Sequence, residues 1–335
     1  MGEHLVGIVG AGQIARLHAQ NIAARVPRLR PVAVADPALD AATALAGELC
    51  CEPLEDWREL LERPDVDALL LCSPSRLHSE QIAAAAEAGK HVFCEKPIAL
   101  DVSAADRAVD AAEAAGIVLQ IGYNRRFDKS FAAVREAVAG GRVGDPLIVR
   151  VTARDPEPPP RSYLEHAPGL LLETTTHDFD LVRFVTGAEI AEVSTRAGSL
   201  VSEDARELGL VDTAVTTVVL ETGAFGVIDN CWVSRYGYDQ RLEVHGTEGM
   251  VLAQNEVCDT TVVADAAGFH APVLPHFFLD RFAPAFAREL AAFADALDGA
   301  PVPVTGRDGR SALVASLAAV RSVEEGRIVR LDEIR

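Results

Sequence analysis

The chain opens with a continuous apolar run, "HLVGIVG" (residues 4–10), and then changes period. In "QIARLHAQNIAARV" (13–26) apolar residues recur every three to four positions. The first pattern predicts a buried strand and the second a helix with one buried stripe. The alternation continues. "PVAVAD" (31–36), "VDALLLC" (66–72), "HVFCE" (91–95) and "IVLQIG" (117–122) read as strands, separated by the helical patterns "AATALAGELC", "SEQIAAAAEAG" and "SAADRAVDAAEAAG". Strands alternating with helices of this length predict an α/β domain whose parallel sheet is wound on both faces.

After Gly122 the rhythm changes. From about residue 146 to 263 come longer alternating runs, among them "DTAVTTVVLE", "AFGVIDNCWV" and "RLEVHG", set off by the turn signals "ETGA" and "GTEG". These predict a second domain with an antiparallel or mixed sheet. Two helical patterns, "RFAPAFARELAAFADALDG" and "RSALVASLAAVRSVEEG", close the chain, so the expected division is 1–122 and 123–335. In the second domain Val215, Thr217 and Val219 alternate with Thr216, Val218 and Leu220, which leaves neither face of that strand plainly solvated. Helices of the chain can cover one face. The other is expected to be an interface, giving a homodimer or a homotetramer built from dimers. The proline-rich "DPEPPP" (155–160) is short enough to be a stiff loop.

Composition narrows the partners. With 335 residues, 49% of them apolar, the chain can fill two moderate cores. A formal net charge of −19 repels phosphate backbones and anionic lipid, which argues against nucleic acid and membrane as partners. Glu3 and two histidines occupy the stretch where a signal peptide needs a basic start and an apolar run, and no eighteen-residue apolar window exists. A soluble, cytoplasmic protein is expected. The six cysteines (50, 51, 72, 94, 231 and 258) lack C-x-x-C spacing, so neither a disulfide framework nor a zinc site is indicated; Cys72 and Cys94 end apolar runs and read as small buried thiols.

Candidate chemistry begins where the first strand ends. "GAGQIA" (10–15) has the form G-x-G-x-x-G/A: Gly10 permits the tight turn, Gly12 lets the backbone approach a pyrophosphate, and Ala15 lets the helix pack closely on the strand. The pyrophosphate would sit at the helix N-terminus, where unpaired N–H groups and the positive dipole end converge. Asp36 ends the second strand 24 residues after Gly12, close to the ~20-residue spacing at which an acid reaches the adenosine ribose. Pro37, Ala38, Leu39 and Asp40 follow, with no arginine to receive a 2′-phosphate. NAD rather than NADP is expected.

Lys96 stands in "CEKPI" (94–98), just past the strand "HVFCE". Parallel sheets bind their ligands beyond the carboxyl ends of the strands, and Pro97 stiffens the backbone at Lys96. Beside a nicotinamide, such a lysine can stabilise charge developing on a carbonyl or alkoxide oxygen. A surface lysine before a proline is the plainer alternative. Further on, a helix from Glu173 to Thr186 would place Glu173, His177 and Asp180 on one face, with Phe179, Leu181, Val182 and Val185 on a buried stripe. Histidine titrates near neutrality and suits the acceptance of a hydroxyl proton. A hydrogen-bonded core histidine or a Glu/His/Asp metal set are the alternatives; the reading adopted here places no metal.

Taken together, "GIVGAGQIA", "EKP" and a helix carrying H-x-x-D resemble the glucose–fructose oxidoreductase/inositol dehydrogenase/MocA family, in the right order over nearly the whole chain. Further segments look like its inositol 2-dehydrogenase branch: "GYNRRFD", "ARDPEPPP", "THDFDLVRF", "DTAVTTVVL", "SRYGYDQRLEVHGTEG" and "FFLDRF". The resemblance implies a Rossmann domain followed by an α+β domain with a large open, mostly antiparallel sheet. It implies NAD-linked oxidation of one ring hydroxyl of a cyclic polyol, myo-inositol or a relative, to the ketone. Lys96 and His177 match the catalytic lysine and histidine, Glu173 matches a position usually held by aspartate, and Asn124, Asp155 and Tyr236 fall in segments that line the polyol pocket. Gln13, Ile14, Ser73, His78 and Glu95 join Gly10, Gly12, Asp36 and Lys96 as implied cofactor contacts. Three departures bear on the substrate: Glu173 itself, Phe282 where a tyrosine is expected, and Pro168-Gly169 in place of a glycine pair. The same chemistry on a pyranose or other sugar, and a non-catalytic NAD-binding sensor, are the competing readings.

Overall fold

The structure, a computed structural model describing residues 2–335, divides into two compact units. The first takes in the chain up to Phe127 together with Pro284–Leu313; the second comprises Asp128–Ala283 and Val314–Arg335. A single boundary after Gly122 therefore does not describe the division. The reason lies in packing: Leu290, Phe293 and Ala294 share one buried cluster with Val6, Ile8, Ile22, Leu70 and Phe93.

The first unit is an alternation of strands and helices: β1 (His4–Val9), α1 (Gln13–Arg25), β2 (Leu29–Ala35), α2 (Leu39–Leu49), β3 (Glu52–Leu54), α3 (Glu59–Glu62), β4 (Ala68–Leu71), α4 (His78–Glu87), β5 (His91–Glu95), α5 (Val102–Ala115) and β6 (Leu119–Gly122). All neighbours pair in parallel, in the order β3-β2-β1-β4-β5-β6. The chain thus leaves β1 on one side for β2 and returns on the other for β4. In sheets of this kind the ligand crevice opens beyond the carboxyl ends of the strands flanking that reversal. Every residue of β4 is buried, as expected of a strand covered on both faces.

The second unit contains α6 (Lys129–Ala139), β7 (Pro146–Arg154), α7 (Arg161–Leu164), α8 (Leu170–Glu173), α9 (Thr175–Thr186), β8 (Ile190–Gly198), α10 (Glu203–Glu207), β9 (Thr213–Leu220), β10 (Phe225–Cys231), β11 (Asp239–Gly246), β12 (Met250–Ala253), and the small hairpin β13 (Val263–Asp265) and β14 (Gly268–His270). Two long helices, α11 (Phe278–Leu297) and α12 (Gly306–Glu325), lead to β15 (Val329–Arg330). Seven strands form one sheet in the order β12-β11-β7-β10-β9-β8-β15, antiparallel throughout except for β7 beside β10.

This sheet has two unlike faces. On β9, Ala214, Thr216, Val218 and Leu220 are buried, whereas Val215 is 50% exposed and Thr217 exposed. Helix α9 covers the inner face with the stripe Phe179, Val182 and Val185, all fully buried, each such side chain contributing about 1.5–3 kcal/mol. Gly226 of β10 marks the contact: a Cβ there would lie 2.5 Å from Val218 and 3.9 Å from Val182. None of the helices among the described residues is long and apolar enough to cross a membrane.

Candidate active site

In the first unit the site is built from backbone. Gly10 has φ +101°, and a Cβ on it would lie 2.7 Å from the Cys72 carbonyl oxygen, so the loop after β1 closes against the end of β4 only because no side chain is there. Gly12 caps α1, and a Cβ there would meet nothing within 4 Å. The first turn of α1 carries no acidic residue, so its N–H groups and dipole are left for an anion. Asp36 ties the loop to the end of β2, accepting from the Ala11 N–H and the Ala38 N–H, both at 2.8 Å. Ala15 is fully buried. Gln13 and Ile14 open α1. An open cradle at a helix N-terminus, bounded by a carboxylate at the next strand, fits the pyrophosphate and ribose of a dinucleotide.

The Lys96 turn is fixed to the loop after β4, against which Gly10 packs. His78, at the start of α4, is buried with Nδ1 2.8 Å from the Pro97 carbonyl oxygen and Nε2 2.9 Å from the Ser73 carbonyl oxygen. A neutral ring donates to one of them at a time, and burial lowers its pKa. Ser73 Oγ in turn donates to Gln81 at 2.5 Å. The Lys96–Pro97 peptide bond is cis. Glu95 is buried beneath the turn, its Oε1 2.7 Å from His18 Nε2 and its Oε2 accepting from the Lys96 N–H at 3.3 Å. Asn124, just past β6, is buried in the same unit.

In the second unit the site is built from side chains. The expected helix from Glu173 to Thr186 is interrupted: Glu173 closes the short α8, Thr174 caps α9, and His177 lies in the first turn of α9. His177 and Asp180 thus share a helix, and Glu173 reaches its place from a separate turn. Three consecutive β-branched threonines weaken the helix here, and their hydroxyls have other work. Thr175 donates to Asn230 Oδ1 at 2.8 Å, and Asn230 Nδ2 donates to the buried Asp178 at 2.6 Å. One side chain on β10 therefore locks the start of the His177 helix onto the sheet.

Glu173 Oε1 accepts from the Tyr163 hydroxyl at 2.6 Å. Burial of that hydroxyl, and then the charges of Glu173 and Asp155, push its pKa well above the ordinary phenol value, although half of the side chain is exposed. Asp155 continues the pairing of β7 through its N–H to the Cys231 carbonyl oxygen. Tyr236 donates to Asp239 at 2.6 Å and accepts from Arg154 at 3.1 Å. Burial by itself would raise the Asp239 carboxyl, but donors from Arg241, Tyr236 and Asn255 outweigh it and hold it below the usual range. Phe282 is a core residue, 1% exposed and packed on Tyr238 and Phe131.

The structure therefore groups Gly10, Gly12, Asp36, Ser73, His78, Glu95 and Lys96 in one unit, and Asp155, Glu173 and His177 in the other. The sequence reading did not single out Tyr163, Asn230 or Asp178. The first lies ten residues from Glu173, and only the fold reveals the partnership of the other two. Among the described residues, the His, Cys, Asp and Glu side chains that converge closely enough to hold a metal are His18, Glu95 and Glu289, not Glu173, His177 and Asp180.

Residues 4–123 match the oxidoreductase family with NAD-binding Rossmann fold, and residues 131–252 match the GFO/IDH/MocA C-terminal domain. The chain belongs to the GFO/IDH/MocA oxidoreductase family. It is 40% identical over 331 residues to a myo-inositol 2-dehydrogenase of Thermotoga maritima, covering 98% of this chain and 99% of that protein. An inositol 2-dehydrogenase of Rhizobium meliloti is 37% identical, with 97% and 98% covered. The solved structure of a scyllo-inositol dehydrogenase of Lactobacillus casei with NAD(H) and scyllo-inositol superposes with a TM-score of 0.92 at 30% identity, covering 98% of this chain and 99% of that one. The family and the glycine cradle agree on NAD as the cofactor.

Proposed function

We propose that the protein is an NAD-dependent dehydrogenase that oxidises one secondary hydroxyl of an inositol to the ketone. The observation that carries the reading is that His78 ties the Lys96 turn to the Ser73 loop after β4, the segment against which Gly10 of the cofactor cradle packs. The relatives' inositol specificity supports the choice of substrate. NAD, when bound, accepts a hydride. His177 takes the hydroxyl proton, and Lys96 stabilises the oxygen as negative charge grows on it. Glu173, oriented by Tyr163, and Asp155, Asn124 and Tyr236 hold the ring hydroxyls. The first unit serves the cofactor and also supplies Lys96 and Asn124; the second supplies the remaining substrate residues.

A panel of inositols, monosaccharides and sugar acids, scored by NADH formation, tests this. Turnover on myo- or scyllo-inositol well above every sugar supports it; a pyranose as the best substrate would keep the chemistry and replace the substrate. Tight NAD binding with no turnover across the panel would make the protein a sensor.

The assembly we propose is a homodimer, or a homotetramer built from two dimers, through the outer face of the seven-stranded sheet. Val215, Phe225, Met250 and Leu252 are each 44–56% exposed on it, more apolar surface than a solvated sheet face normally shows. Light scattering at micromolar concentration should give two or four times the chain mass. An NAD-linked activity and six free thiols support a cytoplasmic location.

A further inference from the structure

Beneath the Lys96 turn the first unit buries three ionisable side chains from distant parts of the chain: His18 of α1, Glu95 of β5 and Glu289 of α11. One polar atom from each lies within 4.8 Å of the other two. Two of the three have clear partners. His18 Nε2 and Glu95 Oε1 are 2.7 Å apart, and the His18 ring is held edge-on by Phe93 and Phe286. Glu95 Oε2 accepts the Lys96 N–H, and Gly122 of β6 makes room for the carboxylate, since a Cβ there would lie 3.1 Å from it.

Glu289 is different. It is fully buried, and neither carboxyl oxygen has a hydrogen-bond partner among the described residues. Its backbone carbonyl is anchored by Gln120 Nε2 at 2.8 Å, so the side chain is not there for want of a place to go. The ionisable groups facing it are His18 from α1, Glu95 from β5 and the buried thiol of Cys72 after β4. No lysine or arginine is among them. Two carboxylates in one dry pocket do not both ionise. The Lys96 N–H and the His18 ring are aimed at Glu95, whereas no donor among the described residues is aimed at Glu289. Burial, and then the charge of Glu95, accordingly hold the Glu289 carboxyl well above the usual carboxylate range.

We propose that Glu289 is a positioning residue that stores a proton: its neutral carboxyl leaves Glu95 the single anion of the pocket, fixed on His18 and on the Lys96 backbone, and so holds the turn that aims Lys96. This rests on the part assigned to Lys96 above. Ionising Glu289 at high pH would set a second charge against Glu95 and loosen that turn.

Glu289→Gln keeps the shape and the neutrality but cannot ionise, so it isolates the proton. A carboxyl whose pKa is raised by folding stabilises the fold fully below the unfolded value, and that stability is lost as pH rises toward the folded value. The unfolded value is about 4.3, so the melting temperature of wild type should fall steadily relative to the Gln variant as the pH rises above about 5. Parallel curves would overturn the proposal. Wild type at pH 7 should show the infrared carbonyl band of a protonated carboxyl that the Gln variant lacks; its absence, or a stoichiometric metal ion in purified wild type that the variant loses, would also overturn it. Neither measurement needs a substrate, so both stand apart from the assignment of Lys96. With a turned-over inositol, the alkaline decline of kcat should move to higher pH in the Gln variant, and superimposable declines would reject the positioning role.

Discussion

The two units solve the problem of holding a small molecule in opposite ways. In the first, the cradle is main chain: a glycine at φ +101°, a helix N-terminus, and one carboxylate that grips two backbone N–H groups. In the second, the candidate residues are side chains whose placement depends on other side chains: His177 on a helix docked by Asn230, and Glu173 on a separate turn steadied by Tyr163. The backbone of the cradle reads the pyrophosphate that every dinucleotide carries, and Asp36 is the one side chain expected to choose NAD over NADP. A side-chain pocket can be retuned one residue at a time, which suits the part of the site that chooses a substrate.

The largest expected effects test whether chemistry is divided between the units. His177→Ala and Lys96→Ala should each lower kcat by about 10²–10⁴-fold, while NAD affinity measured by fluorescence titration stays near wild type. Ordinary turnover by either variant would remove that residue from the mechanism.

Two neighbouring glycines sharpen the account of the first unit. Gly12→Ala puts a methyl group into open space with an allowed backbone (φ −75°), so the fold should melt as before while the KM for NAD rises about tenfold or more, the equivalent of about 1.4 kcal/mol. Gly10→Ala meets both the positive φ and the Cys72 carbonyl, and strain of about 1–3 kcal/mol should appear as a lower melting temperature. If the two variants behave alike, the distinction between a turn glycine and an approach glycine is wrong. Replacing Asp36 with alanine and Pro37 with arginine should move the ratio of kcat/KM for NAD over NADP toward NADP; a wild type that already prefers NADP would break the reading of this loop.

The smaller effects lie in the second unit. Asn230→Ala strips the buried Asp178 of its 2.6 Å hydrogen bond and Thr175 of its acceptor. The cost should be about 1–3 kcal/mol in denaturant unfolding, with kcat reduced because the His177 helix loses its anchor. Tyr163→Phe removes the half-exposed Tyr163 hydroxyl that donates to the partly buried Glu173, and a KM for the polyol raised only a few-fold, about 1 kcal/mol or less, is expected. A loss in kcat as deep as that of His177→Ala would make Tyr163 a catalytic group.

Much of this was legible in the chain alone, and for a physical reason. The order of elements in the first unit, the glycine turn and the Asp36 carboxylate that closes on it are local: period, glycine and a fixed spacing specify them without distant residues. The doubly wound parallel sheet and the mostly antiparallel second sheet followed from the same periodicities. Strand β3 escaped because three residues, one of them Pro53, carry no period. The helix predicted to start at Glu173 is interrupted where Thr175 bonds to the sheet as well as to the preceding turn, and the acceptor, Asn230, lies 55 residues away from Thr175.

Tertiary structure alone decided the rest. Pro284–Leu313 rejoins the first unit because the buried faces of Leu290 and Phe293 fit its core and not because of anything in their local pattern. That return carries Glu289 to His18 and Glu95, three residues whose sequence separations give no hint of a shared pocket. Local interactions write themselves into spacing, whereas a buried charge is defined by whatever the completed fold places around it.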